Sequence, residues 1–245
     1  MLARQACGLL RPRMVKILKV LRDEFAQNPR EFDNFGKMVC WHPEHHLGDS
    51  HSFATPQDFD RWAKKYVRQD RIVMLPLHFR DRDGQLAIST VPFDPREPSH
   101  VGWIYATKED LRREFGVKRL TGRIKHRAVD VLQKEVETYN HYLSGRVFGF
   151  DAFEIDAGKV REMATCWGFY GGDVGTNGML EYVPTVFKNL LKSLGHVCGG
   201  EILLIDGRQK RTFRSVGEFR DYAAMTPLQN LIRLHAALDF IFRAA

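Results

Sequence analysis

Apolar positions along this chain alternate with period two, switch to a helical period, and switch back several times. Residues 15–21, Val-Lys-Ile-Leu-Lys-Val-Leu, predict a first strand. Thr55, Pro56 and Asp58 supply the polar cap, first-turn proline and early acid that open a helix. Phe59, Trp62, Ala63 and Tyr66 give it one apolar face, ending before Asp70. Residues 72–79 predict a strand with Pro76 inside, hence an edge strand or a bulged one, because proline has no N–H for a ladder. Asp83-Gly84 predicts a tight hairpin turn into a return strand, 86–91. Another strand follows over 101–106. Thr107 and Asp110 predict a capping box for a helix over 108–115, with Gly116 just past its end. Thr121 opens the longest helix, to Leu143, with Ile124, Ala128, Val131, Leu132, Glu135, Tyr139 and Tyr142 near one stripe. Strands are expected over 147–155 and 163–170.

This irregular order of strands, hairpins and helices predicts an α+β fold, with a mixed or mainly antiparallel sheet and packed helices over 14–172. Residues 171–178, Gly-Gly-Asp-Val-Gly-Thr-Asn-Gly, read as a linker. Residues 179–245 then predict a smaller, mostly helical C-terminal module. It holds a helix over 182–194, a strand over 201–205, a short helix capped by Ser215 and Glu218, and a final amphipathic helix from Thr226 through Leu231, Leu234, Leu238, Ile241 and Phe242. The apolar face over 228–242 suggests a homodimer contact. Residues 1–13 read as a basic arm, or as lying upstream of a natural start at Met14.

Composition narrows the classes. At 245 residues, with 44% hydrophobic and 27% charged residues, the chain can bury a full core. No apolar run approaches 18 residues, so no membrane partner is expected. Four cysteines (Cys7, Cys40, Cys166, Cys198) without a CxxC pair point away from a disulfide scaffold and toward a reducing cytoplasm. A net charge of +7 favours anionic partners and argues against a mimic of DNA, which needs a strongly acidic face.

The most chemically loaded stretch is 40–51, Cys-Trp-His-Pro-Glu-His-His-Leu-Gly-Asp-Ser-His. Imidazole, thiolate and carboxylate are the usual ligands of zinc, manganese and iron. His42, Asp49 and His51 form the favoured metal set, with Cys40, His46, His78 or Asp81 as further ligands. The spacing matches no established zinc signature, and a solvated loop whose histidines satisfy backbone hydrogen bonds stays open beside it. A second feature is the basic run Arg112, Arg113, Lys118, Arg119, Arg123, Lys125 and Arg127, offset by Glu114. It suits phosphates or an acidic protein surface, and also an ordinary solvated helix face. Cys166-Trp-Gly-Phe-Tyr reads as a buried aromatic strand before a nucleophile site, and Gly171-Gly172 lacks the Lys-Ser or Lys-Thr of a phosphate loop.

Several of these segments carry a resemblance. Asp33-Asn-x-Gly36-x-Met38-x-Cys40-x-His42, Leu47-Gly-Asp-Ser-His51, Leu75-Pro-Leu77, Val101-Gly-Trp-Ile-Tyr105-x-x-Lys-Glu-Asp110, Glu137-Thr-Tyr139 and Cys166-Trp-Gly-Phe-Tyr-Gly171 resemble an uncharacterised family of small proteins encoded by bacteriophages and mobile elements. The likeness spans roughly 15–172 and brings no reaction or catalytic residue with it. It implies an accessory protein acting in the cytoplasm of a bacterial host. The leading expectation is therefore a protein that binds a host protein or ribonucleoprotein complex, with nucleic acid met through the basic run, and counteracts a defence system as an anti-CRISPR inhibitor does. The alternative is a metal-dependent phosphodiesterase or nuclease built on the histidine loop, with a divalent ion generating hydroxide.

Overall fold

Val15, Ile17, Leu18 and Val20 are all fully buried, so the first strand, β1 (Val15–Arg22), is apolar on both faces. The computed structural model describes residues 14–68, 71–156 and 159–226. Its architecture is α+β, with two sheets in which every registered pair is antiparallel. The chain divides into two compact units. One takes the N-terminal residues through Ala26 together with the chain from Arg146 onward; the other is Gln27–Gly145.

In the first unit β1 lies between β6 (Val147–Asp156) and β8 (Ile202–Asp206), and β7 (Lys159–Tyr170) and β9 (Gln209–Phe213) flank them. Leu18, Val20, Phe148, Phe150 and Leu203 pack one face against Phe187 and Leu191, on a helix over Thr185–Leu194. Val15, Ile17, Ile202, Leu204 and Phe213 pack the other face against Phe219, on a helix over Val216–Ala224.

Two expectations are corrected here. Residues 179–226 are not a module apart from the rest, because β8 is hydrogen-bonded directly to β1 and β9 completes a hairpin with β8. β8 is the strand expected over 201–205, shifted by one residue; four of its five residues are buried, on both sides of the pleat, so nothing in it names its partner strand. Residues 171–178 are not a linker either. Asp173 bridges His196, Asn177 Nδ2 donates to the Gly171 carbonyl at 2.9 Å, and Asn177 Oδ1 accepts from the Met179 amide at 3.0 Å. The strand expected over 163–170 is present within β7, but it is a sheet margin: Trp167 is 44% exposed, and Phe169 alone of Cys166-Trp-Gly-Phe-Tyr is buried. The proposed dimer helix from 228 onward lies outside the described residues.

The second unit has the strand order β2 (Lys37–Cys40), β5 (His100–Thr107), β3 (Ile72–Arg82), β4 (Gln85–Ser89). Pro76 sits where β3 has only β5 beside it, since β4 pairs from His78 onward, and the register shifts between Leu77 and His78. The hairpin turn is Asp83-Gly84, with φ of 52° and 80°, the two positive values of a type I′ turn. Helix α1 (Pro56–Arg68) puts Phe59 and Ala63 on one face of the sheet, against Val39 and Tyr105. The capping box of Thr107 and Asp110 starts α2 (Lys108–Phe115), and Gly116 ends it in the left-handed region. Helix α3 (Gly122–Leu143) buries Ala128, Leu132, Val136 and Tyr139 among Met38, Leu77, Ile88 and Ile104 on the opposite face. Each fully buried Leu, Ile or Phe there contributes about 1.5–3 kcal/mol. Asn140 of α3 also accepts the Ile88 amide of β4 at 3.0 Å.

Candidate functional site

The histidine-rich loop is held in place by a turn 19 residues before Asp49 and by one helix. Asn28 caps the short 3-10 turn Pro29–Glu31, which presents Arg30. The Arg30 side chain is only 3% exposed, and two carboxylates meet it. Its Nε and NH2 donate to Asp49 Oδ1 and Oδ2 at 2.8 and 2.7 Å, its NH1 donates to Glu135 Oε2 at 3.1 Å, and its NH2 also reaches the Gly36 carbonyl at 2.7 Å. Glu135 additionally accepts the amides of Phe35 and Gly36. Burial alone would lower the guanidinium, but Asp49 and Glu135 outweigh it and hold Arg30 above its ordinary value. Burial pushes Glu135 upward, against the pull of Arg30 and the two amides.

Asp49 and His51 then fasten the loop along β2. Asp49 Oδ2 accepts the Met38 amide at 2.8 Å, and the Asp49 amide donates to the Met38 carbonyl at 2.9 Å. His51 Nε2 lies 3.1 Å from the Cys40 carbonyl; a carbonyl only accepts, so Nε2 carries the proton. Gly48, at φ 73°, makes the approach feasible, since a Cβ there would come within 2.9 Å of Met38, and its amide donates to Tyr139 Oη at 3.1 Å. The Trp41 ring packs 4.9 Å from His51 and 6.0 Å from Phe59, joining the loop to the aromatic cluster under α1.

The loop lines a cleft of about 560 Å³, but the expected ligands do not converge in it. Asp49 is engaged by Arg30 and the Met38 amide. His42 Nδ1 accepts the amides of Glu44 and His45 at 3.3 and 3.2 Å, as a turn cap does. The His42 and His45 rings both lie against Phe79, at 4.9 and 5.2 Å. Asp81 holds its own turn through the Gly84 amide and meets His45 Nε2 at 3.2 Å. His78 Nδ1 meets Ser99 Oγ at 3.1 Å, and His46 is exposed. Burial, with Asp49 nearby, pushes the Cys40 thiol up to about 12, so without a metal it stays protonated at neutral pH. Among the described residues no three His, Cys, Asp or Glu side chains are grouped to hold a metal ion. Asp49 is thus spent on a guanidinium and a backbone amide, and His42 Nδ1 and His51 Nε2 each meet backbone groups; His51 Nδ1 is buried with no hydrogen-bond partner among the described residues.

The basic run is placed differently. It occupies the corner from the end of α2 to the second turn of α3. Arg113 is tied to Asp110 at 2.9 Å, the Arg127 guanidinium lies 4.9 Å from the centre of the Phe115 ring, and Lys125 is half-buried. Arg112, Lys118, Arg119 and Arg123 are exposed and have no carboxylate partner among the described residues.

Comparison with protein-family models, with curated proteins and with solved structures finds no match for this chain. No described helix is long and apolar enough to cross a membrane. Reading the sequence missed Arg30, whose short turn gives no sign of its partners. Glu135 did leave a signal, as an acid inside the apolar stripe of α3.

Proposed function

We propose that the protein is an accessory factor of a phage or mobile element that binds an anionic host component, a ribonucleoprotein of a defence system, through the α2–α3 corner. The observation that carries this reading is the set of four exposed cations, Arg112, Lys118, Arg119 and Arg123, with no carboxylate to neutralise them. Helix α3 adds to it. Its first turn holds no acid although Arg123 and Lys125 stand there, at the end of the helix dipole that disfavours cations. Phosphates docked at the corner would offset that cost. The metal-dependent phosphodiesterase has less behind it, because Asp49 is engaged by Arg30 and the Met38 amide and no three ligand-type side chains are grouped among the described residues.

The test is binding of a fluorescent single-stranded RNA and capture of a defence ribonucleoprotein by the full-length protein, as salt is raised. Four phosphate contacts give a slope of log affinity on log salt of about −3, and Arg119→Glu with Arg123→Glu reduces it to about −1.5. Loss of capture in the double variant accompanies the flatter slope. Unchanged affinity and unchanged slope in that variant would overturn the assignment of this surface.

A further inference from the structure

Three thiols are described, and they differ in what stands beside them. Cys40 is buried. Cys166 lies on the marginal strand β7 with no hydrogen-bonded base among the described residues. Cys198 is exposed, and His196 Nδ1 lies 3.8 Å from its Sγ.

The surroundings fix this pair. A Cβ on Gly172 would fall 2.3 Å from His196 Cε1 and 2.4 Å from the Val197 carbonyl, so Gly172 leaves the slot in which the imidazole rests. Glu201, 2% exposed, accepts the amides of Cys198 and Gly199 at 2.7 and 3.0 Å and holds the turn that carries the thiol. Arg22 Nε donates to the Cys198 carbonyl at 3.1 Å, and Arg214 NH1 donates to the His196 carbonyl at 3.2 Å. The terminal nitrogens of Arg22 are left free among the described residues. An accessible thiol with a base at contact distance and guanidinium groups around it is the microenvironment of a reactive cysteine. The two amides that could have stabilised an acyl oxyanion already serve Glu201, which disfavours acyl transfer and leaves displacement at sulfur.

We propose that Cys198 is a covalent modification site that exchanges with low-molecular-weight disulfides bearing carboxylates, with His196 as the base and Arg22 as the carboxylate contact. His196 Nδ1 takes the thiol proton as Sγ attacks the nearer sulfur of the disulfide. The Sγ–S bond forms, the reagent's S–S bond breaks, and the leaving thiolate takes the proton back from the imidazolium. The disulfide is the oxidant: Cys198 ends in a mixed disulfide and the departing half is reduced to a thiol.

The experiment follows the reaction of the full-length protein with two probes, anionic dithiobis-nitrobenzoate and neutral dipyridyl disulfide, with glutathione as the reference thiol. Wild type is expected to show a fast phase that disappears in Cys198→Ser. His196→Gln slows both probes about tenfold, below the roughly 10²-fold of a fully enclosed general base because the thiol is exposed. Arg22→Met slows only the anionic probe, by about fourfold in low salt for charges about 5 Å apart in water, and Arg22→Lys restores it. A Cys198 that reacts no faster than glutathione, a fast phase surviving in Cys198→Ser, or equal rates in wild type and His196→Gln would overturn the proposal.

Discussion

Removing the Asp49 carboxylate should unfold the second unit more readily, and the size of the effect follows from what is left behind. Asp49→Ala takes two charged hydrogen bonds from Arg30 and one acceptor from the Met38 amide. Arg30, 3% exposed, cannot turn to water, but it keeps Glu135 and the Gly36 carbonyl. Breaking a buried ion pair on one side costs about 3–5 kcal/mol; the surviving carboxylate puts Asp49→Ala at the lower end, near 3 kcal/mol. Glu135→Ala also strands the amides of Phe35 and Gly36, so it belongs at the upper end, near 5 kcal/mol. With a urea dependence of about 1.5 kcal/mol per molar for a domain of this size, Asp49→Ala lowers the midpoint by about 2 M. Trp41, Trp62 and Trp103, three of the four tryptophans, lie in this unit, so tryptophan emission in a Trp167→Phe background reports its transition. A midpoint within about 0.3 M of wild type, or a smaller loss for Glu135→Ala than for Asp49→Ala, would refute the argument. A carboxylate kept only for a metal ion would leave the metal-free midpoint where it was.

Two further outcomes follow from titrating groups in the same unit. Because burial pushes the Cys40 thiol up to about 12, iodoacetamide at neutral pH should leave Cys40 unlabelled in the native protein and label it in urea, read by peptide mass spectrometry; native labelling of Cys40 would contradict its placement. Burial, with His100 facing it, holds His78 below its ordinary value of 6.5. The fold therefore binds fewer protons than the unfolded chain, and the stability from neutral His78 is full above 6.5 and is lost as pH falls through the lower folded value. His78→Gln should flatten the midpoint-versus-pH curve on the acid side of neutrality, and an unaltered curve would remove His78 as the cause.

What the sequence disclosed is what short stretches decide for themselves. Asp83-Gly84 made a type I′ turn because both residues tolerate positive φ, Thr107 and Asp110 capped α2 across three residues, and Pro76 marked where β3 lacks a second neighbour. The apolar stripe of α3 was legible for the same reason. The choices made over long distances were not. β1 pairs with β8 near the other end of the chain, and Arg30 finds Glu135 across 105 residues. β2 has four residues, too few for a periodicity to show. The histidine loop was correctly seen as dense in ligand-type side chains, but residue type does not say which partner is nearest. Here the nearest partners are a guanidinium, two turn amides and a strand carbonyl.

The attachment of residues 49 and 51 to β2 has a consequence for how this protein behaves when concentrated. A terminal strand with vacant N–H and C=O groups is a template on which another chain can add a strand. On the outer side of β2, Asp49 occupies the amide and carbonyl of Met38 and His51 occupies the carbonyl of Cys40. At the opposite margin Asn140 occupies the amide of Ile88. The four-stranded sheet is thus blocked at these positions by side chains and a loop, where a barrel would be closed by strands. Shortening or lengthening the loop by one residue would withdraw that block, and self-association through β2 would follow even with every core residue unchanged.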